Sequence, residues 1–378
     1  MTAALTLGVP AKRFLRNINW PLAIASIGAV AIGVVCIGSA GLHNAQFAGE
    51  ARRQMLYAAV GVPLMIGVAF VDYRNWQRWA PGLYVANLVL LLFILRGGHS
   101  ALGAQRWISL GPLGTFQPSE PAKLVLAISL AAVLCRGTYE RLLDLWKPLV
   151  CVGVPALLIL KQPDLGTALV LLAILTVQLF VGLPKLGDFA IYALGVLLVG
   201  AVAIGTNVVL KPFQKARLFV FLNPKIDPLG AGYNLNQSKI AVGNGEWLGR
   251  GIYHGTQTQL SFVPENSTDF VFTVLAEEWG FAGAMALLLL YAGLLYGGIA
   301  SMLAARDRFG FLLASGLVGM FFFHILVNVG MTIGIMPITG IPLPFVSYGG
   351  SAILTDFAAI GILLNIHSQR DRDVLGNA

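Results

Sequence analysis

Cysteine is scarce in this 378-residue chain: Cys36, Cys135 and Cys151 are all it has. Each lies in or beside an apolar segment with no CxxC spacing and no histidine pair nearby, so a disulfide-stapled secreted domain and a cysteine metal site are excluded. The three read as small buried hydrophobes. Charge is scarce too. Asp, Glu, Lys and Arg make up 11% of the residues, hydrophobic types make up 57%, and the mean hydropathy is +0.78. A water-soluble domain could not cover its surface from that pool. There is no low-complexity linker, no internal repeat visible by eye and, despite a formal net charge of +8, no basic stripe of the kind that binds nucleic acid. The charges cluster between apolar runs. A soluble enzyme and a disordered chain are thereby excluded, and a polytopic membrane protein remains.

A membrane-crossing helix needs about 20 apolar residues, fewer where neighbours shield polar positions. Ten such runs are present: Trp20 to Ala40, Met55 to Val71, Ala80 to Leu95, Pro118 to Cys135, Trp146 to Leu160, Leu165 to Leu183, Phe189 to Leu210, Phe270 to Ala305, Phe309 to Met336 and Phe345 to His367. The expected fold is therefore an all-α integral membrane protein of about ten transmembrane helices. The first run, preceded by Lys12, Arg13 and Arg16, is too long for a cleaved signal and reads as an anchor. With the N-terminus inside, the cytoplasmic segments hold 13 basic residues and the short outer segments hold 6, which places both termini in the cytoplasm. The chain divides into a tail over 1–19, a single transmembrane domain over 20–367 with a long periplasmic loop over 211–268, and a tail over 368–378.

Ionisable groups at membrane depth are costly, so their positions inform most. The segment Ala104-Gln105-Arg106-Trp107 leads to Phe116-Gln117-Pro118-Ser119-Glu120-Pro121-Ala122-Lys123. Ser119 is the expected N-cap of the fourth helix, with Pro121 in its first turn and Glu120 and Lys123 on one face. Such a helix start, with free N–H groups beside a lysine, suits a diphosphate; an ion pair that only anchors the helix is the structural alternative. In the long loop a helical stretch is expected around Gln237 to Val242, then His254-Gly255-Thr256-Gln257, then Pro264-Glu265-Asn266-Ser267-Thr268-Asp269 running into the eighth span. Asp269 thus stands at the mouth of a helix, where it is either a functional acid or a cap. Glu277 and Glu278 are expected about two turns deeper, lining a polar cavity or serving as hydrogen-bond acceptors. Asp164 is the expected cap of the sixth helix. His324 and Asn328, four apart, make a weak metal pair without a third ligand. The stretch Thr339 to Ser351, with Ser347 and Ser351 in it, is too rich in glycine and proline for a helix, so non-helical backbone must enter membrane depth there, surrounded by protein. Asp356 follows it without an evident partner.

These residues fall in long ordered motifs: AQRW at Ala104 to Trp107, FQPSE with Lys123 after it, QPDLGTA at Gln162 to Ala168, DPLGAGY at Asp227 to Tyr233, HGTQTQL, TDFVF with AEEWG, and PLPFVSYGGS. Over nearly its whole length the chain resembles the SEDS proteins (shape, elongation, division and sporulation), with an HGTQ block nearer the RodA-type branch than the division paralogue. The resemblance implies a peptidoglycan glycosyltransferase that polymerises lipid II into a growing glycan strand at the outer face of the bacterial inner membrane. It further implies work alongside a class B penicillin-binding protein and the elongation machinery, among membrane lipids and without nucleic acid. On it, the essential aspartate falls on Asp269, the fourth-helix pair on Glu120 and Lys123, and the outer-loop positions tied to activity on Arg106 and Trp107. Thr115 departs from the family pattern, where some relatives are basic, and Asp356 stands where an apolar residue is expected.

Glycan polymerisation requires a base for the attacking hydroxyl, cationic or dipolar groups for the departing diphosphate, and room for two polyprenyl tails. The expected base is Asp269, its carboxyl raised by Glu265. The diphosphate falls to Lys123, oriented by Glu120, with Arg106, Ser119 and Gln117, and with a divalent cation (Mg or Mn) as the expected assistant. Thr268, Gln257, Ser347, Ser351 and Trp107 are the expected supports. Two rival readings remain: a transporter that flips a lipid-linked precursor, for which broken helices and the midplane acids Glu277, Glu278 and Asp356 would speak, and a non-catalytic scaffold that activates its crosslinking partner.

Overall fold

The computed structural model of the chain describes residues 16–42, 44, 47–97, 99–101, 104–109, 111, 114–137, 139, 142–206, 212–227 and 230–370. The expected tails over 1–19 and 368–378, the start of the long loop and two residues of DPLGAGY lie wholly or partly outside them. Apolar runs become helices where expected: α1 (Trp20–Ala40), α2 (Glu50–Phe70), α3 (Tyr73–Gly97), α4 (Ser119–Arg136), α5 (Trp146–Lys161), α6 (Leu165–Gly182) and α7 (Leu186–Gly205). The long loop carries α8 (Pro212–Leu222), α9 (Ala231–Asn244) and the single turn α10 (Thr256–Gln259); α11 (Val271–Leu303), α12 (Arg308–Ile333) and α13 (Gly350–Ser368) complete the chain. Three short strands, β1 (His99–Ala101), β2 (Ala104–Ser109) and β3 (Thr115–Phe116), form an antiparallel sheet in that order between α3 and α4.

Among the described residues nine helices are long and apolar enough to cross a membrane. The tenth, α4, carries Glu120, Lys123 and Arg136, yet twelve of its residues are buried, because α3, α6, α12 and α5 pack around it and hide what lipid would reject. Helix α13 lies along α2, and α11 along α1. Helix α7 is the outlier, with only Tyr192 and Ala203 buried.

Ten crossings among the described residues put the start of α1 and the end of α13 on one side of the bundle and the long loop after α7 on the other. At the terminal side the α2–α3 and α11–α12 turns are tied by Arg74 Nε on Asp307 at 2.8 Å. At the loop side a satellite core of Leu235, Ala241, Val263, Phe270, Met331 and Ile338 seats α9 and the turn before α11 on the end of α12.

Candidate functional site at the loop-side end of the bundle

Asp269 sits two residues ahead of α11, in a turn stitched to the strap of non-helical backbone between α12 and α13. Glu265 opens the turn in left-handed geometry (φ 54°), and its carbonyl accepts from the N–H groups of Thr268 and Phe270, each at 3.2 Å. The strap side holds it by three bonds. Ser347 Oγ donates to the Thr268 carbonyl at 2.5 Å, Tyr348 N–H to the Ser267 carbonyl at 2.9 Å, and Asn328 Nδ2 to the Asp269 carbonyl at 2.9 Å. Gly340, at φ +73°, lies under the carboxylate: a Cβ there would stand 3.2 Å from Asp269 Oδ2 and 3.8 Å from Arg217 Nη1. Glycine is required twice over, for its backbone and for the close approach.

The strap itself resolves a problem posed by its composition, since backbone at membrane depth must find partners within the protein. Side chains supply them. Tyr291 donates to the Pro344 carbonyl at 2.7 Å, Asn328 to that of Ile341 at 2.7 Å, and the Phe345 N–H reaches Asp356 Oδ2 at 3.4 Å. His324 Nδ1 lies 3.1 Å from the Pro342 carbonyl, and its Nε2 3.3 Å from Lys123 Nζ. A lysine ammonium only donates, so Nε2 accepts and Nδ1–H donates. His324 and Asn328 are therefore two rungs under the strap, which replaces the metal pairing considered for them, and Asp356 gains a partner in Phe345.

Charges of both signs surround Asp269. The carboxylate keeps part of its surface open yet is deeply set among protein groups; that desolvation, with the negative charge of Glu265 second, pushes its pKa up to about 6, while Arg217 pulls the other way. Asp164 and Arg106 act on it more weakly. Arg217 was not foreseen. It projects from α8, whose Gln214, one turn earlier on the same face, donates to the Pro163 carbonyl at 3.3 Å and so docks the helix on the α5–α6 turn. Arg106 grips that turn too, through Nε to the Gln162 carbonyl at 2.7 Å and a second bond to the Pro163 carbonyl.

Asp164 caps α6 as expected, accepting from Thr167 N–H at 3.1 Å. Its other oxygen gathers Thr167 Oγ1 at 2.9 Å and Ser119 Oγ and Gln117 Nε2 at 3.3 Å each. Ser119 is thus not the cap of its own helix, which starts without a side-chain cap; its hydroxyl is spent on Asp164 and on Gln117 Nε2 at 2.8 Å. The Gln117 N–H binds Ser351 Oγ at 2.9 Å, which joins α13 to this group. Trp107 follows Arg106 on β2, and alternation along a strand turns it to the opposite face.

Lys123 lies deeper than Asp269. Its side chain is 3% exposed, with Nζ 2.7 Å from Glu120 Oε2 and against His324. Its ammonium is thus turned to these two partners, with Asp356 nearby below the strap. Since His324 lies one turn before Asn328 on α12, this group sits about 6 Å deeper than the Asp269 backbone.

The two glutamates of α11 also move. At Gly280 (φ 64°, ψ −161°) the helix breaks, and the loop after α9 fills the break: Phe281 and Ala282 N–H groups donate to the Glu246 and Trp247 carbonyls, and Arg250 and Gly251 N–H groups to those of Glu277 and Glu278. From Phe281 to Leu303 α11 is already about 34 Å long, a full crossing. Glu278 binds Ser39, at the loop-side end of α1. Both acids therefore lie at the membrane boundary and not at its midplane. Glu277 accepts from the N–H groups of Gln257 and Thr258 at 2.8 and 3.0 Å and from two threonine hydroxyls, which pins α10. Gln257 serves through its backbone; no bond reaches its side-chain oxygen among the described residues.

No three His, Cys, Asp or Glu side chains among the described residues converge to hold a metal ion. The divalent cation expected to assist at the diphosphate thus finds no set of three such ligands among the described residues.

Known proteins supply an independent measure. Residues 20–372 match the model of the cell cycle protein family FtsW, RodA and SpoVE. The peptidoglycan glycosyltransferase MrdB of Escherichia coli K12 is 40% identical over 330 residues, covering 86% of this chain and 88% of that protein. The peptidoglycan glycosyltransferase RodA of Treponema pallidum is 34% identical and covers 95% and 99%. Among solved structures, a chain from a peptidoglycan synthase complex that coordinates polymerization and crosslinking superposes with a TM-score of 0.81 at 35% identity, over 94% of this chain and 99% of that one. The rod shape determining protein RodA of Thermus thermophilus gives 0.69 at 34%, over 94% and 98%. Motif order, helix arrangement and identity across most of the length agree, and this chain belongs to the FtsW/RodA/SpoVE family of cell cycle proteins.

Proposed function

We propose that the chain is a RodA-type peptidoglycan glycosyltransferase that joins lipid II units into glycan strands at the outer face of the bacterial inner membrane during elongation and rod-shape maintenance. The observation that carries this is Asp269: a carboxylate partly open at the membrane boundary, with acidity near neutral, facing Arg217 across Gly340. A base tuned toward the working pH is what removal of a hydroxyl proton needs. The C4 hydroxyl oxygen of one sugar attacks the anomeric carbon of the other. Its proton passes to Asp269 while the bond from that carbon to the diphosphate breaks, and the electron pair leaves with the diphosphate. Arg217 and Arg106 are the cations placed to receive that charge, and guanidinium groups suit phosphate oxygens. Lys123 contributes from behind by holding the strap.

Both termini lie in the cytoplasm on the basic-residue count, 13 against 6, so Asp269 faces the periplasm. A class B penicillin-binding protein is the partner in this reading, in keeping with the synthase complex that resembles this chain. The flippase alternative rested on broken helices and on Glu277, Glu278 and Asp356 as midplane acids; the first two are engaged at the loop-side end of the bundle and Asp356 accepts from the Phe345 N–H, which favours the enzyme. Purified protein incubated with labelled lipid II, with and without its crosslinking partner, should yield glycan strands on a gel. Asp269→Asn should yield none; strands of normal length and rate from that variant refute the base assignment.

A further inference from the structure

We propose that Asn328 is a positioning residue for glycosyl transfer, its amide tying the backbone of Asp269 to the strap residues that form the floor under the carboxylate. The inference rests on the reading of Asp269 as the base. Asn328 is fully buried, and one nitrogen makes both bonds, 2.9 Å to the Asp269 carbonyl and 2.7 Å to the Ile341 carbonyl. An NH2 group has two hydrogens, so the pair saturates it. The amide oxygen has no partner among the described residues. The side chain is thus oriented by its two donated bonds alone, and what the position demands is donors.

The geometry converts those bonds into placement of the carboxylate. Ile341 follows Gly340, and the Gly340 backbone is what Asp269 Oδ2 rests against. Fixing both carbonyls from one rigid amide sets the height of the acid above its floor. It also sets its distance to Arg217, which shares the space over Gly340. Hydrophobic packing of the same volume would leave two buried carbonyls without this donor and remove the one of the turn's three ties that acts on Asp269 itself. The charged groups around Asp269 come from four elements: Glu265 of its own turn, Arg217 of α8, Asp164 of the α5–α6 turn and Arg106 of β2. None contacts Asn328 in the bonds above, so a change at Asn328 acts on Asp269 through position and desolvation.

The test compares Asn328→Leu, which keeps the branched outline, adds no charge and loses the donors, with Gly340→Ala, which pushes on the carboxylate from the floor, and with Asp269→Asn. All are assayed as purified complexes with the crosslinking partner on labelled lipid II, normalised to folded protein by size-exclusion and thermal melting. Misplacement of a reacting group by about 1 Å can cost about 10²-fold in rate. Asn328→Leu and Gly340→Ala should each lose kcat on that scale with KM changed less than about threefold, and the acid limb of kcat should move in both. A residue that only supports the fold would lower the melting temperature and yield while leaving kcat per folded molecule and the pH limb in place, and that outcome for Asn328→Leu overturns the proposal. Should Asn328→Leu not fold, Asn328→Ala, smaller and also without donors, decides by the same criteria. An active Asp269→Asn sinks the base assignment whatever Asn328 does; an inert Asp269→Asn beside a normal Asn328→Leu sinks this inference only.

Discussion

Replacing Glu265 with glutamine removes a negative charge from the turn that carries Asp269 and leaves the chain's volume unchanged. The Asp269 carboxyl, ordinarily at 3.8, is held at about 6, with burial the larger cause and Glu265 the second. Burial survives the substitution, so the pKa should fall by at most about one unit, to about 5. A base works only when ionised. In the wild-type protein activity should drop about tenfold per pH unit below 6, whereas a carboxylate at its ordinary value would hold full activity to about pH 4.5. At pH 5.5 about a quarter of wild-type Asp269 is ionised against about three quarters in the variant, so Glu265→Gln should retain about three times more of its own plateau rate. Arg217→Met removes the opposing cation and should move the limb upward, along with a lower plateau from the lost diphosphate contact. The assay is the initial rate of strand formation from pH 4.5 to 8 at saturating lipid II. A wild-type limb near 4, or a Glu265→Gln limb that stays or rises, refutes the electrostatic account.

Three further expectations follow from the same contacts. Asp269→Asn should abolish polymerisation yet stabilise the fold: a carboxyl with a raised folded-state pKa loses stability as pH rises between about 4 and 6, a cost of about 2 kcal/mol at pH 7 once solvent at its open edge is allowed for, so the variant should melt higher at pH 7 with the gap closing toward pH 4. Lys123→Met strands Glu120 in the core and should cost about 3–5 kcal/mol, seen as lost folded protein in detergent; adding Glu120→Gln should restore much of it, and a normally folded Lys123→Met with only a raised KM would return Lys123 to the diphosphate. Glu277→Ala leaves the α10 N–H groups without their acceptor and should speed hydrogen exchange at Gln257 and Thr258 by about 10-fold or more, and unchanged protection there would show that α10 is held by something else.

Much of the site was legible in order along the chain. Asp269 at a helix mouth, Asp164 as a cap and irregular backbone before α13 each follow from residue type and spacing, since caps and helix breakers act within a few residues. What escaped was everything made by distant segments. Arg217 lay in a stretch of the long loop with no motif of its own, and only docking of α8 through Gln214 brings it over Gly340. Ser119 looked like a cap because serine before a helix usually is, but a bond to Asp164, 45 residues away, won. Glu277 and Glu278 were set too deep because Gly280 was counted as helix. A single glycine gives no local sign that another loop will replace its hydrogen bonds.

The sequence by itself determined that this chain lives in a bilayer, how many times it crosses and where its acids are concentrated, because transfer of apolar surface and the cost of buried charge depend on composition over windows of about 20 residues. Tertiary structure alone decided which of those acids are taken up by partners. Lys123 with Glu120, Asp356 with Phe345, and Glu277 with α10 are consumed by partners that packing delivers. Asp269 is left open beside Arg217, because its own bonds run through its backbone and spare its carboxylate.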